Sequence, residues 1–102
     1  MREVTILSTS PELKIGLSGE IDSENAEEFC AEVIAAYNAS PCNVVFVCNE
    51  LEFLDSTTLG TFVKILKHVK TDGNSMKLVG LQPRLKKLFV ICALDTIMEI
   101  AE

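Results

Sequence analysis

Histidine is almost missing from this sequence: His68 is the single one among 102 residues. The best hydroxyl candidates, Ser56, Thr57 and Thr58, stand at the other end of the same predicted helix. At ~1.5 Å of rise per residue the imidazole lies roughly 15 Å or more from Ser56, too far to act as its base. His68 therefore reads as a partly exposed cation near a helix C-terminus. There is no Gly-x-Ser-x-Gly elbow, no Walker loop and no Gly-x-Gly-x-x-Gly, which removes the common hydrolase, P-loop and dinucleotide signatures. An enzyme is not expected, nor a cofactor or a metal.

Tryptophan is absent, tyrosine occurs once, and the net charge is −6. Nucleic-acid binding needs a basic footprint with exposed aromatics, and neither is present. Arg84, Lys86 and Lys87 read as the wet face of a helix. No apolar run approaches the ~20 residues of a membrane span. Met1-Arg2-Glu3 leads directly into strand-like sequence with no apolar leader, so a cytoplasmic location is expected. Paired short cysteine spacings are also lacking: Cys30, Cys42, Cys48 and Cys92 read as reduced core or near-core residues. A Cys42–Cys48 disulfide is the less favoured alternative.

What is present is enough for one domain over residues 1–102. The chain is 48% hydrophobic and 24% charged, a composition that supports a buried core and argues against disorder. Apart from Arg2 and Lys14, every basic residue lies between Lys64 and Lys87, whereas the first sixty residues carry most of the acid. A two-toned surface follows, and with it a partner with a basic face.

Val4-Thr5-Ile6-Leu7-Ser8 and Leu13-Lys14-Ile15-Gly16-Leu17-Ser18 predict two strands, joined as an antiparallel hairpin through Thr9-Ser10-Pro11. Asp22 or Ser23 is the expected N-cap of a first helix with acidic first turns at Glu24, Glu27 and Glu28. Its apolar stripe is Ala26, Phe29, Cys30, Val33, Ile34 and Tyr37, and Pro41 ends it. Asn43 to Cys48, a continuous apolar run, predicts a strand covered on both faces. A second helix is expected from about Thr57 to Val69, with Lys64, Lys67, His68 and Lys70 near its negative end. Met76 to Leu81 is a fourth strand. Pro83 opens a third helix with Leu85, Leu88, Phe89 and Cys92 inward. Ile97-Met98-Glu99-Ile100 closes the chain as a strand or a helix.

Such alternation defines an α/β fold of four or five mostly parallel strands with an N-terminal antiparallel hairpin and right-handed helical crossovers. The loops at the strand carboxyl ends, Gly19–Asp22, Asn49–Ser56 and Leu81–Arg84, are expected to share one edge of the sheet. Glu20, Asp22, Glu50, Glu52 and Asp55 meet near that edge. Their spacing matches no metal loop, and solvated surface acid is the simpler account.

Asp55-Ser56-Thr57-Thr58 falls where the buried strand hands over to the second helix. A hydroxyl there can cap the helix, contact a phosphate or accept one. Composition by itself favours the cap.

Two stretches resemble a known family. Leu17-Ser18-Gly19-Glu20-Ile21-Asp22, followed by Ala26 and Phe29, and Phe53-Leu54-Asp55-Ser56-Thr57-Thr58-Leu59-Gly60 are similar to the signatures of the STAS domains of bacterial anti-sigma factor antagonists. Pro83 to Phe89 adds a weaker third match, in the same order. The resemblance implies a STAS-like single domain and a non-catalytic switch. The unmodified protein would bind an anti-sigma factor that is also a serine kinase. Phosphorylation would break that complex, and a serine phosphatase would restore it.

Carried over by position, the acceptor is Ser56, with Thr57 and Thr58 as lesser candidates. The expected partner contacts are Gly19, Glu20, Asp22, Asp55, Ser56, Thr57 and Thr58. Thr58 stands where the family usually has glycine. A loop needing a positive φ at that position would oppose the switch, whereas a first helical turn would accept threonine. The alternative function is a small-ligand or nucleotide sensor on the same fold, with its pocket among the carboxyl-end loops.

Overall fold

The computed structural model describes residues 2–101. The chain runs β1 (Arg2–Ser8), β2 (Leu13–Ile21), α1 (Ala26–Ala39), β3 (Val44–Leu54), α2 (Ser56–Lys70), β4 (Met76–Val79), α3 (Pro83–Ile91), a 3₁₀ turn (Leu94–Thr96) and β5 (Glu99–Ala101). The strands lie in their sequence order, β1-β2-β3-β4-β5. β1 pairs antiparallel with β2, and the remaining pairs are parallel. The expected order of elements is therefore present, and the undecided closing segment is a strand.

Each parallel step moves one strand further in the same direction. Right-handed crossovers then stack all three helices on one face of the sheet. The aromatic core shows this directly. Phe46 of β3 meets Phe29 of α1 at 6.1 Å and Phe62 of α2 at 5.2 Å between ring centroids. Phe62 also meets Phe29 at 5.4 Å and Phe89 of α3 at 5.6 Å. Around these rings pack Leu13, Ile15, Leu17 and Ile21 of β2 and Ile65, Leu66 and Val69 of α2. The α1 stripe is inward as its spacing requires: Ala26, Phe29, Val33 and Tyr37 are buried.

The expectation that β3 is covered on both faces is corrected. Val44, Phe46 and Cys48 join the core, whereas Val45 and Val47 face the side that carries no helix. Val45 is nevertheless only 5% exposed. It sits in register between Lys14 of β2 and Lys77 of β4, and the aliphatic stems of such residues cover apolar neighbours. An uninterrupted apolar run cannot distinguish a second helical layer from this arrangement.

Boundaries shift at the functional end. β2 continues through Ile21 and β3 through Leu54, so much of the two expected loops is strand. α1 begins at Ala26 with Asn25 as N-cap, later than Asp22 or Ser23 would place it. The intervening residues form a side-chain-braced turn. The Glu24 amide donates to Asp22 Oδ1 at 3.0 Å, the Asp22 amide donates to Asn25 Oδ1 at 3.1 Å, and Asn25 Nδ2 donates to the Glu20 carbonyl at 3.0 Å. Asx side chains compete in this way with the first helical turn.

All four thiols are free, so the Cys42–Cys48 bond does not form. Burial pushes the Cys48 thiol up to about 12, which leaves it inert at neutral pH. Cys92, expected to face inward, is exposed at the C-cap of α3. The helix ends before another inward turn, and Ala93 takes a positive φ of 59°. No helix is long and apolar enough to cross a membrane among the described residues.

Candidate functional site

The site is built where β2 and β3 end. Asp55 is extended, at φ −115° and ψ −177°, and caps α2 by accepting the Thr58 amide on Oδ1 at 3.0 Å. This is the arrangement an N-cap aspartate makes with the third helical residue. Its second oxygen does something the local sequence does not specify. Oδ2 accepts the Ser23 amide at 3.0 Å, which ties the β2–α1 turn to the start of α2. One carboxylate therefore joins two of the three loops.

Partial burial acts to raise the Asp55 carboxyl. The amide and hydroxyl of Thr58 and the amides of Ser23 and Thr57 outweigh it, and the net shift is downward. Asp55 is ionised at neutral pH.

Thr58 is the third residue of α2 and is 0% exposed. Its hydroxyl lies 2.7 Å from the Ile21 carbonyl and 3.0 Å from Asp55 Oδ1. Its one proton is shared between these two acceptors, the nearer being the Ile21 carbonyl at the end of β2. Among the described residues the only non-glycine positive φ is at Ala93, so Thr58 occupies an ordinary helical turn in which threonine fits. The same burial corrects two expectations. Thr58 offers no hydroxyl for phosphorylation and presents no surface to a partner, because its side chain is used to join β2 to α2.

Ser56 and Thr57 are exposed. Ser56 is the first residue of α2, and among the described residues its hydroxyl has no hydrogen-bond partner. Thr57 contributes its carbonyl to the Thr61 hydroxyl at 3.2 Å. Glu20 is exposed, Asp22 half-buried, and Gly19 half-buried with φ +77°. That positive φ coincides with a register shift between Gly19 and Glu20 against β3, a bulge for which glycine is suited. Beyond it Glu20 pairs with Phe53 and Ile21 with Leu54. Gly19, Glu20, Asp22, Asp55, Ser56 and Thr57 thus gather around one end of the sheet.

Phe53, absent from the residues expected at this edge, also lies on it. It is 43% exposed, beside Glu20, three positions before Ser56. The available signal was an aromatic flanked by Glu52 and Asp55 in a stretch without strict alternation. The third loop also joins this edge. Gln82 Nε2 donates to the Leu51 carbonyl at 3.3 Å, and the Arg84 guanidinium donates to the Glu52 carbonyl. Arg84 is consequently more than a solvated helix face. Gly80 is held close to the same strand: it has φ +76°, and a Cβ there would fall 2.5 Å from Asn49 Oδ1. His68 stays remote, its Nε2 2.8 Å from Asn38 Oδ1.

The first turn of α2 thus displays an exposed serine beside an ionised aspartate. The chain belongs to the STAS domain family, whose model matches residues 3–102. It is 31% identical over 98 residues to the anti-sigma-B factor antagonist of Bacillus subtilis, covering 96% of this chain and 89% of the relative. An anti-sigma factor antagonist from Mycobacterium paratuberculosis superposes with a TM-score of 0.87 at 19% identity, over 99% of this chain and 86% of the other. The phosphorylated form of the Bacillus cell-fate determinant SpoIIAA does so with a TM-score of 0.73 at 19% identity, over 100% and 92%. At these identities the two structures establish the shared fold.

Proposed function

We propose that the protein is a cytoplasmic, non-catalytic anti-sigma factor antagonist, binding its anti-sigma factor through the edge formed by Gly19, Glu20, Asp22, Phe53, Asp55, Ser56 and Thr57. The anti-sigma factor is itself the serine kinase in this reading. Ser56 accepts the phosphate, the complex separates, and a serine phosphatase restores the binding form. The observation that carries the proposal is the exposed, unbonded Ser56 hydroxyl at the first residue of α2, beside an aspartate already committed to the fold. The relatives named above support it.

The physical basis of the switch is local. A phosphoserine carries about −1.5 to −2 charges at neutral pH. At a helix N-terminus the fold tolerates that charge, and the dipole contribution is only ~0.3–1 kcal/mol. At an interface already holding Asp55 and Glu20, the same charge adds to acid of its own sign and is stripped of water. That costs several kcal/mol, and ~1.4 kcal/mol is tenfold in affinity.

The test is incubation with the cognate anti-sigma factor and ATP, with phosphate mapped by mass spectrometry. Calorimetry of that factor with Ser56→Asp and Ser56→Ala completes it. Ser56→Asp is expected to lose at least about tenfold in affinity while Ser56→Ala keeps it. Phosphate on Thr57 alone would move the acceptor, and equal affinities for the two variants would remove the switch.

A further inference from the structure

We propose that the helix-free face of the sheet carries a second binding site, for a small amphipathic cation: an apolar chain ending in an ammonium group. The inference is independent of the phosphorylation switch and rests on a groove of about 760 Å³ over β1, β2 and β3. That volume lies within the ~300–1,000 Å³ typical of small-ligand sites.

The groove exists because β2 is low where its neighbours are tall. Its floor includes Gly16 and Ser18. Thr5 and Val47 flank Gly16 in register, and Glu3 and Glu50 flank Ser18. The two levels are two residues apart along the strand, or roughly 6.5 Å. At the Gly16 level the surroundings are apolar. Leu7 Cδ1 lies 3.4 Å from where a Gly16 Cβ would stand, and Val47 forms the opposite side.

At the Ser18 level the surroundings are acidic. Glu3 and Glu50 stand on either side of Ser18, with Cα atoms about 9.5 Å apart, two strand spacings. Register shifts after Gly16 and after Gly19 interrupt the alternation, so that Asn49, Glu50 and Glu52 all border the same groove. Among the described residues, no lysine or arginine lines it.

Apolar at one end and carboxylate-flanked at the other, the groove is complementary to a cationic amphiphile about one short alkyl chain long. Phosphates and carboxylates are repelled. The groove reaches the carboxyl-end segments only at Gly19, Asn49, Glu50 and Glu52, and its acid argues against a nucleotide in it.

The experiment is an amide NMR titration of the full-length protein with n-octylamine hydrochloride, and in parallel with sodium octanoate. Octylamine should give saturable shifts at Gly16, Ser18, Val47 and Glu50 that weaken at high salt. Octanoate, with the same chain and the opposite charge, should give none. The double variant Glu3→Gln/Glu50→Gln should bind octylamine about five- to tenfold more weakly. Gly16→Val should abolish binding by filling the floor. Should Gly16→Val fail to fold, the glutamine variant, which alters only exposed carboxylates, decides the matter. Equal responses to octanoate, shifts centred instead on a second groove between α1 and α2, lined by Ile34 and Lys64, or unchanged affinity in the glutamine variant would overturn the proposal.

Discussion

Thr58 donates its hydroxyl proton to the carbonyl of Ile21 at 2.7 Å, across 37 positions of sequence. The bond fastens the first turn of α2 to the last residue of β2 inside the core. It explains why a threonine is accommodated at the position where related loops favour glycine. The backbone there is helical, and the β-branched side chain has both space and a partner.

Replacing Thr58 by Val keeps its shape and removes that donor. Loss of a partner for a buried carbonyl costs about 1–3 kcal/mol, and urea unfolding should show it. Thr58→Ser, which retains the hydroxyl, should stay within ~1 kcal/mol of the parent. Equal losses in the two variants would mean that packing, not the hydrogen bond, holds the turn.

Asp55 predicts a dependence on acid. Its carboxyl is held below the ordinary value by the amides and hydroxyl around it, so the ionised form is preferred more strongly in the folded chain than in the unfolded one. The resulting stability is complete above the unfolded carboxyl value of ~3.9 and is lost as pH falls through the lower folded value. Asp55→Asn lacks this titration. The stability gap between parent and variant, measured in urea from neutral pH downward, should narrow below about pH 4. Asp55→Ala should cost ~0.5–2 kcal/mol at neutral pH through the lost cap. A pH-independent gap for Asp55→Asn would contradict the assignment.

Phe53 should matter to binding and little to folding. It is 43% exposed beside the site, and exposed substitutions usually fall within ±0.5 kcal/mol of parent stability. Phe53→Ala is expected to weaken the anti-sigma factor complex by about fivefold or more, as truncated aromatic anchors do. Calorimetry against the partner, alongside thermal melts, separates the two effects. Unchanged affinity would place Phe53 outside the contact.

Phe62 and Gly80 test the scaffold. Phe62 touches Phe29, Phe46 and Phe89, and Phe62→Ala should cost ~3–5 kcal/mol. Gly80→Ala forces a positive φ and sets a Cβ against Asn49. A loss of about 1–2 kcal/mol is expected from the backbone alone. Adding Asn49→Ala should recover only the part due to contact. Full recovery would show that the backbone conformation carries no cost.

Several features were legible along the chain because they depend on local spacing. The α1 stripe, the turn at Asp72-Gly73, the proline at the start of α3 and the strand–helix alternation each follow from periodicity or from one residue's backbone limits. Alternation with right-handed crossovers then implied the parallel sheet and brought the three carboxyl-end loops together. Ser56 was identifiable as a helix-start hydroxyl by the same reasoning. The register shifts at Gly16 and Gly19 were not, because a bulge is set by pairing with another strand.

By itself, the order of residues determined most of the elements, their order along the chain and the position of Asp55-Ser56 at a helix start. Tertiary structure alone decided which of three neighbouring hydroxyls is buried, Thr58. About 200° of helical rotation separates Ser56 from Thr58, and only the packing of β2 against α2 establishes which direction is inside. It also decided that Asp55 serves two segments at once and that one face of the sheet stays open. Hydrogen bonds between residues more than thirty positions apart depend on where strands meet in space, and hydrophobic spacing carries no record of that.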